Sequence, residues 1–183
     1  MIALLVILAI IIVITIYGIS IYNGLQRKKV RVDETWSQID VQLKRRNDLI
    51  PNLVSTVKGY TKHEADVLTN IAKARSGLLD ARTCSEKAKY DSRLTQGIQS
   101  LIAVSENYPD LKADTSYQQL ISELTNTEDK ISYARGLYNN TVSAYNEAIV
   151  VFPASVIAGV CNFSSADYFK VDESDRQAPK VEF

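Results

Sequence analysis

The sequence has few of the residues on which most enzymes and metalloproteins depend. It holds one histidine and two cysteines among 183 residues. Cys84 and Cys161 lie far apart and form no CxxC pair, so no zinc site can be read from them. A disulfide between them would require an oxidising compartment, and two buried free thiols are the simpler interpretation. Glycine-rich phosphate-binding motifs are also missing.

The single histidine, His63, lacks the sequence context of a catalytic or metal-binding residue. It begins the run HEADV, which places Val67 where an H-E-x-x-H metalloprotease has its second ligand. A nucleophilic dyad or triad would have to use His63 itself. Its position in the predicted first turn of a helix favours a surface residue instead. We therefore predict no catalytic residue, no metal and no cofactor, which means a protein that is not an enzyme.

Charge is balanced, with 21 basic and 21 acidic residues. A nucleic-acid-binding protein usually has a clear basic excess, so nucleic acid is not an expected partner. Only seven glycines and four prolines interrupt the chain. Such sparse interruption is typical of long helices rather than many short strands, and it predicts an all-α protein.

Charged residues are absent from the first 26 positions. The apolar part runs from Ile2 to about Tyr22, roughly the 20 residues that a helix needs to cross a bilayer. Tyr17 and Tyr22 stand where an interfacial aromatic belt would lie. These features predict a transmembrane helix over residues 1–26. A cleaved signal peptide is the alternative, although secretory signals normally carry a basic residue before the apolar run.

Basic residues follow this segment directly: Arg27, Lys28, Lys29 and Arg31. The positive-inside rule then predicts that the N-terminus is outside and the C-terminal domain cytoplasmic. The same four side chains would be attracted to anionic lipids, by about 1 kcal/mol each.

The remaining chain shows the helical period. Its first helix carries apolar residues at a period near 3.5, the pattern of packing along a partner helix: Val32, Trp36, Ile39, Leu43, Ile50, Val54 and Val57. Gly59 is then the expected C-cap glycine. Three more helices are predicted, beginning at the Thr61–Glu64 capping box, at about Ser85 and at about Asp114. The fourth helix ends at about Phe152, before Pro153.

These elements predict a transmembrane helix followed by an elongated antiparallel bundle of four long helices, because short loops favour antiparallel neighbours. The predicted domains are the anchor at 1–26, the bundle at 27–152, and a short helix with a tail at 153–183. Residues 148–166 are again uncharged. We expect them to pack on the bundle or on another subunit; a second membrane span is the alternative.

Tyrosines mark the fourth helix, since Tyr117, Tyr138 and Tyr145 fall on its apolar seam. Ordinary packing inside the bundle explains them, because tyrosine suits positions where an apolar body meets a polar edge. An oligomer interface, where tyrosine is also enriched, is the other interpretation.

The run Lys-Arg-Arg interrupts the seam of the first helix, because Arg46 and Asn47 take core positions. We expect Arg46 to lay its stem on apolar surface and extend its head into water. A buried polar layer that fixes helix register, or a binding role, are the alternatives. Pro51 cannot donate to the Asn47 carbonyl, so a kink is expected there, with Asn52 or Ser55 near the freed carbonyl.

Long specific motifs resemble those of the LemA family. They are WSQIDVQLKRRNDLIPNLV with its flanks, ENYPDLKA, YARGLYNNTVSAYNEAI followed by FP, and the final PKVEF. The resemblance implies a bacterial membrane protein with a long antiparallel helical domain and no accepted catalytic residues. It also implies kinship with proteins tied to magnetosome membrane formation and others linked to envelope stress.

Two functions fit these observations. The first is a scaffold of the bacterial cell membrane that forms homo-oligomers and organises or shapes the membrane. The second is an adaptor or regulator that binds another membrane protein, such as a protease or an envelope-stress component.

Overall fold

The computed structural model describes residues 1–61 and 64–170. This part of the chain is helical and contains no strand, which confirms the all-α prediction. His63 and the tail at 171–183 lie outside the described residues. The helices are α1 (Ile2–Lys58), α2 (Ala65–Asp80), α3 (Cys84–Ser105), α4 (Pro109–Ala113), α5 (Thr115–Val150) and α6 (Ala154–Val160).

Helix α1 begins in the apolar segment and continues through residue 26 without a break. Within the described residues it is the one helix that is long and apolar enough by itself to cross a membrane, and its most apolar window has no buried residue. Helices α5 and α6 meet the same criterion only when taken together, and they are bent by 91°. The predicted domain boundaries at residues 26 and 152 stay predictions.

The chain forms two compact units. The first consists of Met1–Ser37 with Gly136–Asp167, and the second of Gln38–Arg135 with the described residues from Tyr168. The first unit thus contains the apolar segment and its basic flank, and the second contains the Lys-Arg-Arg run.

The core of the second unit follows the predicted seams closely. Ile39, Leu43, Ile50 and Val57 of α1 are buried, although Leu53 takes the core position expected for Val54. The other helices contribute buried residues at the same three- and four-residue spacings: Ile71, Ala74, Leu78, Leu94, Ile98, Leu101, Leu124 and Ile131. Apolar periodicity therefore sets which face of each helix packs inward.

Helix ends differ from the predictions. Gly59 follows α1 as expected, but it does not adopt the left-handed conformation of a C-cap glycine. The Thr61 hydroxyl donates to the Val57 carbonyl, and α2 begins only after Glu64, so the predicted capping box is wrong. The capping box lies instead at Thr83 and Glu86, which cap α3 reciprocally. The short helix α4, after Tyr108, was not predicted.

Helices α2 and α3 form a close antiparallel pair because two glycines admit side chains of the other helix. A Cβ added at Gly77 would lie 2.2 Å from Cε1 of Tyr90, and one added at Gly97 would lie 2.8 Å from Cγ1 of Ile71. These positions need glycine for space rather than for backbone freedom, since both lie inside helices.

This contact gives a prediction whose sign depends on Tyr90. Gly77→Ala is expected to lower the free energy of unfolding by about 1–2 kcal/mol, because the methyl group displaces the Tyr90 ring. In a Tyr90→Ala background the same change is expected to raise it by up to about 1 kcal/mol, since alanine favours the helix. Denaturant unfolding of the four variants measures both effects. The same sign in both backgrounds would contradict the steric explanation.

Candidate functional site

Arg46 lies inside the second unit, not on its surface. Its side chain is 2% exposed, so the prediction that its head extends into water is wrong. The guanidinium instead forms ion pairs with Asp91 of α3 and Glu128 of α5. The alternative, a buried polar layer, is what the structure contains.

The polar layer consists of Arg46, Asp91, Thr95 and Glu128. Nη1 of Arg46 lies 2.7 Å from Oδ1 of Asp91 and 2.8 Å from Oε2 of Glu128. Nη2 donates to the Thr95 hydroxyl at 2.9 Å, and that hydroxyl is 3.1 Å from the Asp91 carbonyl. Asp91 is only 1% exposed, whereas Glu128 is 34% exposed. One guanidinium therefore joins three helices through directional bonds.

Burial raises the pKa of Asp91 above its ordinary value. The Arg46 guanidinium opposes this shift, and the neighbouring Glu128 carboxylate adds to it. Arg135 of α5 is a second cation that lowers the pKa of Asp91. Arg46 and Arg135 thus favour the ionised form of a carboxylate that burial disfavours, since buried charges generally need partners.

Pro51 has a partner for the carbonyl that it leaves free. Helix α1 continues through Pro51, and Nε of Arg75 donates to the Asn47 carbonyl at 3.2 Å. The sequence predicted that Asn52 or Ser55 would lie near this carbonyl, but its donor comes from α2. Because Asn47 is next to Arg46, this bond extends the polar layer to a fourth helix.

Arg45, one residue earlier, shows how different the same chemistry is at the surface. It pairs with Glu123 of α5, and the two side chains are 46% and 48% exposed. Water competes for both groups, so such a pair contributes little to stability. Only the second arginine of the run is part of the core.

The seam tyrosines of the first unit hold the segment after α6, residues 164–167, against α5. The Tyr138 hydroxyl donates to the Asp167 carbonyl at 2.8 Å, and the Tyr145 hydroxyl donates to the Ser164 carbonyl at 2.9 Å. Asn146 adds two bonds to the backbone of Ala166. Both rings are buried within one chain, which supports the packing interpretation over the oligomer interface.

Two further ring contacts organise the first unit. Trp36 of α1 lies 5.4 Å from the Tyr138 ring, centroid to centroid. Tyr22, earlier on α1, lies 5.7 Å from the ring of Phe163, centroid to centroid, and Phe163 follows α5 in the chain. Residue numbers therefore rise along α5 as they fall along α1, which makes the two helices antiparallel in this unit. Tyr117 is likewise buried, in the second unit.

The predicted basic flank is available to ligands. Arg27, Lys28, Lys29 and Arg31 are all exposed on α1. Attraction to anionic lipids stays a prediction.

Sequence reasoning missed several residues that the structure brings together: Arg75, Asp91, Thr95, Glu128, Arg135 and Phe169. A signal for Asp91 was present, since it follows Ala88 by three residues on the apolar seam of α3. Thr127 and Glu128 similarly stand at the seam of α5. Polar residues at core positions on three helices indicate a shared polar layer.

The layer has the chemistry of a structural element. It contains an arginine, two carboxylates and a threonine hydroxyl, and its central groups are buried. Among residues 1–61 and 64–170, no group of three or more His, Cys, Asp or Glu side chains is placed to hold a metal ion. What the arrangement can do is fix the register of the helices.

A family model matches most of this sequence. The model of the LemA family matches residues 35–183, which include the whole polar layer. The chain belongs to the LemA family. The match begins after the apolar segment and basic flank, so the LemA model itself covers the helical domain and not the apolar segment.

LemA relatives come from different bacteria. Protein LemA of Metamycoplasma hominis is 27% identical over 157 residues, covering 84% of this chain and 71% of that protein. Magnetosome protein MamQ of Magnetospirillum gryphiswaldense is 21% identical, covering 82% of this chain and 62% of its own length. Magnetosome protein MamQ 2 of Paramagnetospirillum magneticum is 34% identical over 70 residues, only 38% and 26% of the two chains. Together with helix α1, these similarities are consistent with a membrane protein.

Proposed function

We propose that this member of the LemA family is a membrane-anchored scaffold that self-associates and organises the membrane around it. The observation that carries the proposal is the continuity of α1 within the first unit. Its exposed apolar segment runs without a break into the part that packs against α5 through Trp36 and Tyr138. A helix without a break transmits position and orientation, whereas a flexible linker would not.

Two further observations support a structural role. The polar layer fixes the helices of the second unit with directional bonds to buried charges, which favours one defined arrangement. The relatives that are magnetosome proteins support a role tied to a cellular structure rather than to a reaction. We propose that the protein is not an enzyme and that it lies in the bacterial cell membrane, with the helical domain cytoplasmic.

An adaptor role is the second candidate, and exposed apolar residues of the second unit favour it. Val41, Leu79 and Tyr133 are 62%, 60% and 76% exposed. Exposed tyrosines such as Tyr133 are common anchors for partner proteins. Self-association would also use them, so the partner must be determined in the cell.

Site-specific photo-crosslinking separates the two candidates. A photoreactive amino acid at Leu79 or Tyr133 of the full chain is expected to give products at multiples of the 20.4 kDa protomer mass. The reason is that a scaffold presents these faces to further copies. Asp66, exposed on the same helix as Leu79, serves as the control position. Products of another mass, with no self-linked species, would favour the adaptor and contradict the scaffold.

A further inference from the structure

The corner between α5 and α6, residues 148–163, exposes apolar side chains without any charge among them. Phe152 is 79% exposed, Val160 is 77% exposed and Val150 is 70% exposed. Val151 and Val156 are also more than half exposed. An exposed apolar surface of this density on one short corner marks a site of contact with protein or membrane.

Contacts with α1 show at which height the corner lies in the first unit. A methyl group added at Gly18 would lie 3.7 Å from Cδ1 of Ile157. The Phe163 ring meets the Tyr22 ring edge-on, with centroids 5.7 Å apart. Gly18 is four residues before Tyr22, so Ile157 lies about 6 Å closer to the N-terminus of α1 than Phe163 does. Helix α6 therefore stands beside the end of the apolar segment.

The direction of the chain agrees with this height. Helix α5 is antiparallel to α1 in this unit, so it approaches the apolar segment as it nears Val150. Helix α6 then turns by 91° from α5. Because α5 is antiparallel to α1, α6 is roughly perpendicular to α1. A helix perpendicular to a membrane-spanning helix lies along the membrane surface. This is the orientation of an interfacial helix, whose apolar side enters the boundary between headgroups and acyl chains.

The charged residues nearest the corner show which part of the chain is expected to lie in water. Gly18 is nine residues before Arg27, the first charged residue of α1, or about 13 Å along the helix. On the other side, Glu147 and Asp167 flank the uncharged stretch. The corner thus lies at the height where α1 is still uncharged.

We propose that the α5–α6 corner inserts into the lipid at the membrane interface, as a second contact with the bilayer beside α1. The occupant of its apolar surface is lipid, because the corner continues the apolar surface of the membrane segment at the same height. This proposal rests on the membrane anchorage given above. Two contacts fix the tilt and rotation of the first unit on the bilayer, which a single spanning helix cannot do.

Depth-dependent quenching tests the proposal, because Cys161 is exposed and is adjacent to Val160. The full chain with Cys84→Ser carries an environment-sensitive fluorophore on Cys161 in phosphatidylcholine–phosphatidylglycerol vesicles. We expect this probe to lose most of its fluorescence to a spin label near the top of the acyl chain, and less to one at mid-chain. Two control probes are placed in a chain whose two cysteines are replaced by serine. The probe at Ile11→Cys measures quenching inside the bilayer, and the probe at Ser37→Cys measures quenching at a position exposed to water.

The outcomes separate the corner from the anchorage. Quenching at both Cys161 and Ile11 supports the proposal. Quenching at Ile11 alone overturns the insertion of the corner and leaves the anchorage intact. A Cys161 probe shielded from both lipid quenchers and aqueous iodide would also overturn it, in favour of a second copy. If neither probe is quenched, the anchorage itself is overturned.

A matched pair of variants adds a second readout. Val160→Asp places a carboxylate on the inserted surface, and we expect it to abolish most of the Cys161 quenching while quenching at Ile11 remains. Leu79→Asp, at an apolar residue of α2 that is 60% exposed and lies in the second unit, is expected to leave both unchanged. Equal quenching of Cys161 with and without Val160→Asp would overturn the proposal.

Discussion

Replacing Arg46 with methionine is expected to lower the free energy of unfolding by about 3–5 kcal/mol. The change removes the cation from two carboxylates, one of which, Asp91, is 1% exposed. Methionine fills a similar length, so the loss comes from the buried Asp91 carboxyl that has lost its ion pair with Arg46 rather than from a large cavity. Denaturant unfolding of the full chain in mild detergent, followed by circular dichroism, measures the change.

Arg45→Met is the matched control, because it is adjacent in sequence and also removes a pair with a glutamate of α5. The Arg45–Glu123 pair is exposed, so the expected loss is at most about 1 kcal/mol. Equal losses for the two variants would contradict the distinction between a buried layer and a surface pair. Adding Asp91→Leu to Arg46→Met is expected to recover part of the loss, since an apolar pair needs no counter-ion.

Phe169→Ala is expected to lower the free energy of unfolding by about 3–5 kcal/mol as well. The ring is 1% exposed, and the Arg135 guanidinium carbon lies 5.1 Å from its centroid. Arg135 in turn lowers the pKa of Asp91, so the ring covers a cation that acts on the polar layer. Removing the ring leaves a cavity and gives water access to that cation. The same unfolding experiment applies.

Phe152→Ala provides the comparison for this variant, because it removes the same ring from a position that is 79% exposed. Its expected effect on unfolding is within about 0.5 kcal/mol. A loss at Phe169 no larger than that at Phe152 would show that the segment after α6 is not part of the core of the second unit.

Periodicity in the sequence was enough to predict the fold class and most core positions. Ile39, Leu43, Ile50 and Val57 recur at helical spacing and are buried as expected. Each helix buries one face, and that face can be read from a single helix without knowing its partners. The apolar segment of α1 could also be predicted from the sequence, because a helix that crosses a bilayer needs about 20 apolar residues.

Pairing between helices was not predictable in the same way. Arg46 is a core position by spacing, but whether it snorkels or pairs depends on Asp91, 45 residues later, and on Glu128. The register between helices decides whether those groups meet, and that register cannot be read from a single sequence. Phe169 is a similar case: it lies outside any helix, so no periodic pattern indicates that it is buried.

The particle mass of the full-length chain, purified in mild detergent, tests the scaffold proposal most directly. Mass photometry with negative-stain imaging measures it. We expect regular assemblies of many 20.4 kDa protomers. Under conditions that unfold the Arg46→Met variant, we expect that variant to form no such assemblies. A single monomeric species at all concentrations, from protein that is shown to be folded, would contradict self-association and leave the adaptor role.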